Sequence, residues 1–465
     1  MKRLKRWHKI VLVLFIVLVV VPVTAWVVLD RMAAAAVRRE EAKIRAAGEP
    51  VTWRDLVPPP MPDSENAAVL YDKAFALLSE GGSDTEDVLV EALNTPLPWS
   101  EDARRDMAAL GGKRVKPEAV TESGAWAAVR ARILRNTPAL DLIHQAAAMP
   151  LCRFEVDYSA NINVNVRQLW RLRAASRLLG LRAQLRRRDG DIAAAYDDVV
   201  DMLRLERATH QPVLFSYSTG GLLLAAALNV GLKPLVAETA DNPDAWRRLL
   251  RELDGVDRKS LLITTLQGER VLGAETIDAV IFHPSTLPAS ARPGGAWQVV
   301  RIAARPLWRF DKAHYLACMG EVLGFARTEP WQASARFSAL LTREANATRV
   351  APLTRLLLPA RPDAAFRTHS RTEAWLALGK VALALHLYKH EHGAYPAGLG
   401  NLVPDLLTSV PPDPFTGNAL VYRRVGAGFI LYSVGSDGTD NGGNEKPPDP
   451  IRAEEGVDIV WKAEK

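Results

Sequence analysis

At 465 residues, 48% hydrophobic and 24% charged, the chain can bury a core of more than one domain's size. Neither intrinsic disorder nor a multi-span membrane protein fits that composition. Much of its net charge of +6 sits in the head MKRLKRWHK, where five of nine residues are Lys or Arg. The rest is nearly balanced and has no basic stripe interleaved with aromatics, so no nucleic-acid partner is expected.

The head leads into Ile10–Leu29, an uncharged run of 20 residues, which matches the ~20 residues a helix needs to cross a bilayer. Pro22 is tolerated in such a helix. Residues 1–30 therefore read as a single membrane anchor in the cytoplasmic (inner) membrane. Positive charge before the run places the N-terminus inside and the body in the periplasm or outside the cell. A cleaved signal peptide, cut after Val23-Thr24-Ala25, is the alternative; apolar residues continue past Ala25, which favours retention. Residues 31–65 read as a stalk: an Ala- and charge-rich exposed continuation of the helix, ended by Gly48 and Pro50, then a Pro-rich spacer. Ser64 or Asn66 is placed to cap the next helix.

Residues 66–367 carry a helical period. Leu169, Leu172, Ala175, Leu179 and Ala183 recur on one face, RRDGD interrupts, and Ile192, Ala195, Val199 and Leu203 resume, which predicts an αα-hairpin. No repeat of about 34 residues is sustained, so bundle and short solenoid both stay open. Arg186–Arg188 read as the solvated end of a helix, and Thr219–Leu232 as a buried helix rather than a second crossing. Tyr217–Gly221 lacks a nucleophile elbow, and no Gly-Lys-Ser/Thr follows Gly220-Gly221. Asp197 and Asp198 are adjacent and face different directions; Glu269 in LQGER reads as a solvated helix residue. Residues 283–295 form the best internal loop, and Leu358–Ser370 marks a boundary.

Residues 368–465 read as an α+β module. Ser370 and Glu373 have capping-box spacing before a helix whose stripe is Leu378, Val381, Leu385 and Tyr388. Gly393 and Pro396 end it. ALVYRR, a VGAG turn and FILYSVG predict a β-hairpin, and DIVW a further strand. His386 and His390 have a metal-compatible spacing with His392 nearby, but the pattern His-Glu-x-x-His is absent. Cys152 and Cys318, the only cysteines, lie in no CxxC; the sequence leaves pairing and free thiols both open.

The segments ALHLYKHEHGAYP, PPDPFTGNALVY and LYSVGSDGTDNGG…DIVW, in that order over roughly residues 370–461, resemble the soluble domain of the major pseudopilin of type II secretion systems. The resemblance implies a small antiparallel sheet packed on a helix and a structural Ca²⁺ in the acidic loop. Its ligands would be the Val434 carbonyl and the carboxylates of Asp437 and Asp458, with Asp440 as an extra ligand. Val457 stands where that family often has a second carboxylate. The alternative is that Asp and Gly there supply turn chemistry alone. An EF-hand count from Asp437 meets Thr439, Asn441 and Gly442 but fails at Pro448. The pseudopilin processing site is absent, and the module is separated from the anchor by residues 31–367. The sequence thus predicts a mainly α protein with a transmembrane helix, a helical body and a C-terminal α+β module. The function it suggests is non-enzymatic: protein–protein interaction or secretion-associated scaffolding with other envelope proteins. An envelope hydrolase with its active site in the helical body is the alternative.

Overall fold

The computed structural model describes residues 2–79, 116, 121–238, 241–282, 300, 302–347, 351–360, 362–444 and 458–463; the loop expected at 283–295 and Val457 lie outside them. Helix α1 (Lys2–Phe15), a π-helical stretch (Ile16–Val20) and α2 (Val21–Ala46) follow one another without a break. The wide stretch ends two residues before Pro22. That residue offers no N–H to the turn before it and its ring crowds the carbonyl there, and a widened turn relieves the conflict. The most apolar part of this helix is long enough to span a membrane, and none of it is buried.

The expected exposed stalk is corrected. Beyond Leu29, the side chains of Asp30, Ala33 and Ile44 are buried because α2 packs lengthwise on α11 (Arg305–Ala326). The small Ala33 lets the two helices approach closely.

Between these come α3 (Ala67–Leu77), α4 (Glu122–Ala148), α5 (Gln168–Asp189), α6 (Ile192–Arg204), α7 (Leu214–Ala226), α8 (Lys233–Glu238), α9 (Pro243–Asp254) and α10 (Arg258–Phe282). After α11 follow α12 (Pro330–Asn346), α13 (Pro352–Ala360) and α14 (Pro362–His392). Of the two caps proposed for α3, Asn66 is the one used, accepting from the Ala68 amide at 3.1 Å. The predicted hairpin is α5–α6: Gly190 takes φ +84°, and Asp191 caps α6 through the Ala194 amide. Arg186 is not a solvated end. The hairpin folds Asp198 back beneath α5, where Arg182 and Arg186 pair with it at 2.6 and 2.9 Å. Asp197 points the other way, to Arg248. The apolar stretch from Leu214 continues through a π-helical segment (Ala227–Leu232), and more than half of its apolar window is buried in the body.

Two large hydrophobic cores result. One joins α3–α6, the end of α7, α9, the second half of α14 and the sheet. The other joins Ile44 of α2 to α10, α11, α12 and the start of α14. The expected boundary at 367/368 falls inside α14, which contributes Phe366 to one core and Leu378, Val381 and Leu385 to the other. Two expectations change with it. Leu358–Ser370 is almost entirely helical, and Ser370 and Glu373 sit inside α14 instead of capping it. Burial of Ala365 and Phe366 carries the helix further toward the N-terminus than the capping pattern suggests.

Gly393 ends α14 at φ +79°. The predicted hairpin is β1 (Val421–Val425) against β2 (Gly428–Ser433), and β3 (Ile459–Ala463) pairs antiparallel with β2 to give the order β1-β2-β3. Strand β2 is central, and Phe429, Leu431 and Trp461 enter the core shared with α14.

Candidate functional site

The acidic loop follows β2. Gly435, Gly438, Gly442 and Gly443 all have positive φ, and a Cβ on Gly443 would lie 2.4 Å from Ile430 Cδ1. The four expected ligands have the following places. The Val434 amide donates to Asp413 Oδ2 at 2.9 Å. Asp437 accepts from the Thr439 amide at 3.0 Å and from Asn441 Nδ2 at 3.3 Å. Asp440 Oδ1 accepts from the Tyr432 hydroxyl and the Gly442 amide, both at 2.8 Å. These donors hold its carboxyl below the ordinary range. Asp458, buried at the head of β3, accepts from the Gly443 amide at 2.7 Å and the Asn441 amide at 3.4 Å. Asn441 therefore links Asp437 to Asp458, while Asp440 turns toward Tyr432.

Asp413 is the residue the sequence reading missed here. It is 1% exposed, and its Oδ1 accepts from the Phe415 amide while its Oδ2 takes that of Val434. It stitches the DPFTGN turn to the end of β2. That turn in turn sits on the body: a Cβ on Gly417 would lie 2.6 Å from the Trp331 ring of α12. The signal was legible as an Asp-Pro-x-x-Gly turn, but its partner was not.

The three C-terminal histidines do not converge. His386 is buried among Trp246, Tyr395 and Phe429, with Nδ1 3.2 Å from the Tyr395 hydroxyl. Burial, with Lys389 nearby, pushes it down to about 4. His390 pairs with Asp241, and His392 stacks on Tyr388.

Glu269 is corrected from solvated to buried. Its Oε1 accepts from the Leu214 amide at 2.8 Å and so caps α7. The flanking residues share that task. A Cβ on Gly268 would lie 1.9 Å from the Pro212 carbonyl oxygen, and buried Arg270 binds Glu49 at 2.7 Å and the Pro50 carbonyl. LQGER is thus a docking seam for two chain crossings.

Two further polar groups were missed. Arg258, fully buried, donates to Glu206 at 2.7 Å and to the Tyr217 carbonyl at 2.7 Å, its guanidinium 4.0 Å above the Tyr217 ring. Glu206 also meets His210 at 2.8 Å, and the Tyr217 hydroxyl meets His369 Nδ1 at 2.9 Å. Burial pushes the Glu206 carboxyl up, but His210 and Arg258 outweigh it and hold it low; burial and Arg258 push His369 down to about 3. This knot ties α7, α10 and α14 together. Gly220 and Gly221 lie against it, where added Cβ atoms would come 2.4 Å from Thr209 Oγ1 and 2.5 Å from Thr372 Oγ1. That contact is a packing reason for the TGG sequence.

The second group is His314, Cys318 and Glu344, the one set of three metal-capable side chains among the described residues with ligand atoms within 4.8 Å of one another. His314 Nε2 lies 2.6 Å from Glu344 Oε2. Cys318 Sγ is nearly equidistant from both ring nitrogens, 3.5 and 3.9 Å. Nε2 is already committed to Glu344, toward whose carboxylate its N–H points. The set is a cross-helix hydrogen bond between α11 and α12 with a thiol against it. Cys152 and Cys318 are not joined in a disulfide, and burial pushes the Cys152 thiol up to about 12, far from a nucleophilic thiolate.

No family model, curated protein or solved structure matches the chain.

Proposed function

We propose that the chain is a non-enzymatic, single-pass cell-envelope scaffold. Its N-terminus lies in the cytoplasm, its body lies outside the membrane, and its C-terminal α+β module makes contacts with other envelope proteins. The observation that carries this reading is the mechanical continuity from anchor to module. Asp30 pairs with Arg305 and Arg309 at 2.8 and 2.7 Å, and Glu49 with Arg270 and Arg327. From there the shared helix α14 leads to the sheet. Among the described strands β1 is an edge of the sheet, with Val425 exposed, while Arg423 and Arg424 discourage indiscriminate strand pairing.

The test combines a reporter enzyme active only outside the cytoplasm, fused after Lys465, with a photo-crosslinker at Val425 in growing cells. Reporter activity together with a discrete envelope-protein adduct supports the proposal. An inactive reporter reverses the orientation, and an active reporter with no adduct removes the contact role of β1.

A structural Ca²⁺ held by the Val434 carbonyl, Asp437, Asp440 and Asp458 is a subsidiary proposal. It is supported by hard oxygen donors on a glycine-rich loop. Amide donors already engage these carboxylates, so the ion would reinforce the turn without creating it. Calcium added to chelator-treated full chain should raise its melting temperature, by the equivalent of about 2.7 kcal/mol at a hundredfold excess over Kd. Asp458→Asn should abolish that increment, and an unchanged melting temperature in the parent chain would remove the ion.

A further inference from the structure

We infer that the surface formed by Val300, Ile302, Leu307 and Phe310 lies in the headgroup–acyl boundary of the same bilayer that the N-terminal helix crosses. The body would then rest on the membrane instead of standing away from it. This inference rests on the anchor reading above.

The argument is one of level. Trp26 and Asp30 bracket the end of the uncharged run, which stops at Leu29. The body is registered to both. Trp26 Nε1 donates to the Ala303 carbonyl at 2.8 Å, and the Arg305 guanidinium covers the Trp26 ring at 4.6 Å. Arg305 and Arg309 converge on Asp30. A helix advances about 1.5 Å per residue, so these contacts hold residues 303–309 beside the last turn of the membrane-spanning segment. An apolar side chain held there cannot be exposed to water alone.

The side chains at that level suit such a place. Val300, Ile302 and Leu307 are 46%, 56% and 56% exposed, and Phe310 is 38% exposed, although the body has large cores available to it. Leu307 and Phe310, three apart on α11, share one helical face. Trp26 occupies the interfacial position that tryptophan favours. Arg305 and Arg309 bring their charges to the same boundary, where long basic side chains reach out to headgroups. Val27, Val28 and Leu29 of α2, between the registered residues Trp26 and Asp30, are themselves exposed, so bilayer is the occupant that meets both surfaces at that level.

The test uses the full chain in phosphatidylcholine–phosphatidylglycerol vesicles. An environment-sensitive fluorophore is attached at Ile302→Cys or Leu307→Cys in a Cys152→Ser background. Cys318, 1% exposed, is retained, and its lack of labelling is checked on the parent. Vesicles contain lipids bearing a nitroxide either near the headgroup or deep in the acyl chain. The expected result is blue-shifted emission at 302 and 307, quenched more strongly by the shallow nitroxide than by the deep one. Val19→Cys should be quenched more by the deep nitroxide, and Leu134→Cys by neither. Quenching at Val19 with positions 302 and 307 as unquenched as 134 would overturn the membrane-resting surface and leave the anchor intact. An unquenched Val19 would remove both. If a labelled variant melts below the parent, protection of the 302–310 amides from hydrogen exchange replaces the fluorophore. Protection of the unsubstituted chain that is no greater in vesicles than in detergent without lipid counts against the inference.

Discussion

His386 illustrates how a residue that looks like a ligand is spent on packing. Its ring fills the gap between Trp246 of α9 and the Tyr395–Phe429 pair of the module, a neutral role that a proton would spoil. The folded value, about 4, lies below the ordinary 6.5. The contribution is therefore complete above pH 6.5, is lost as the pH falls toward 4, and changes no further below that. A depression of this size corresponds to about 3 kcal/mol. His369, lowered by burial and by Arg258 and Lys259, loses stability over the same direction of pH. Thermal melts from pH 7.5 to 4 should show this loss, and His386→Phe should flatten part of it; an equally steep profile in the variant would refute the assignment. Gly268 gives a second residue-scale prediction. The backbone carbonyl of Pro212 stands where a Cβ would go and has no rotamer to escape through, so Gly268→Ala should cost several kcal/mol, on the scale of overpacked sites. A melting temperature within about 2 °C of the parent would contradict that close approach.

At the scale of elements, periodicity and turn chemistry were readable in the sequence because they are local. The α5–α6 hairpin follows from one apolar stripe and Gly190, the α3 cap from Asn66, and the β1–β2 hairpin from alternation around Gly426. What was not readable is what each element's other face meets. Glu269, Arg258 and Asp198 look like surface charges, because the partners that let them be buried lie 55, 52 and 16 positions away. The capping pattern at Ser370 misled for the same reason: tertiary burial of Phe366 overrides a local signal. The metal-capable trio His314, Cys318 and Glu344 was half legible, since the i,i+4 pair lies on one helix, but the approach of Glu344 from α12 is a packing outcome. The core shared by α14 gives an element-scale prediction. An isolated 368–465 fragment begins inside that helix and uncovers the residues that face α9 and the π-helical segment, among them Leu378 and Gly379. It should be partly helical and aggregation-prone, with no cooperative melt. A sharp two-state transition would show that the module stands alone.

For the whole molecule, the decisive feature is how a helix long and apolar enough to span a membrane becomes part of a core. Asp30 follows directly on the apolar run, a poor place for a carboxylate unless it is paired. Two arginines from α11 complete it, and Lys312 adds a second tie to Glu41 and Asp278. Removing one partner of such a group leaves the other charges short of a counterion, at a cost of about 1–3 kcal/mol for a site still partly open to water. Asp30→Asn should therefore loosen α2 from α11 without unfolding the rest. Local opening governs proteolysis when closing is fast, so a loss of that size raises cleavage within the helix roughly five- to hundredfold. The expected readout is faster tryptic cutting after Arg31, Arg38 and Arg39 in vesicle-bound chain, with the body fragment remaining resistant. Arg309→Met should act in the same direction but more weakly, because Arg305 keeps two contacts with the Asp30 carboxylate. Unchanged cutting in both variants would mean that the anchor is merely tethered to the body. The path from the apolar helix to the sheet through α11 and α14 would then transmit nothing.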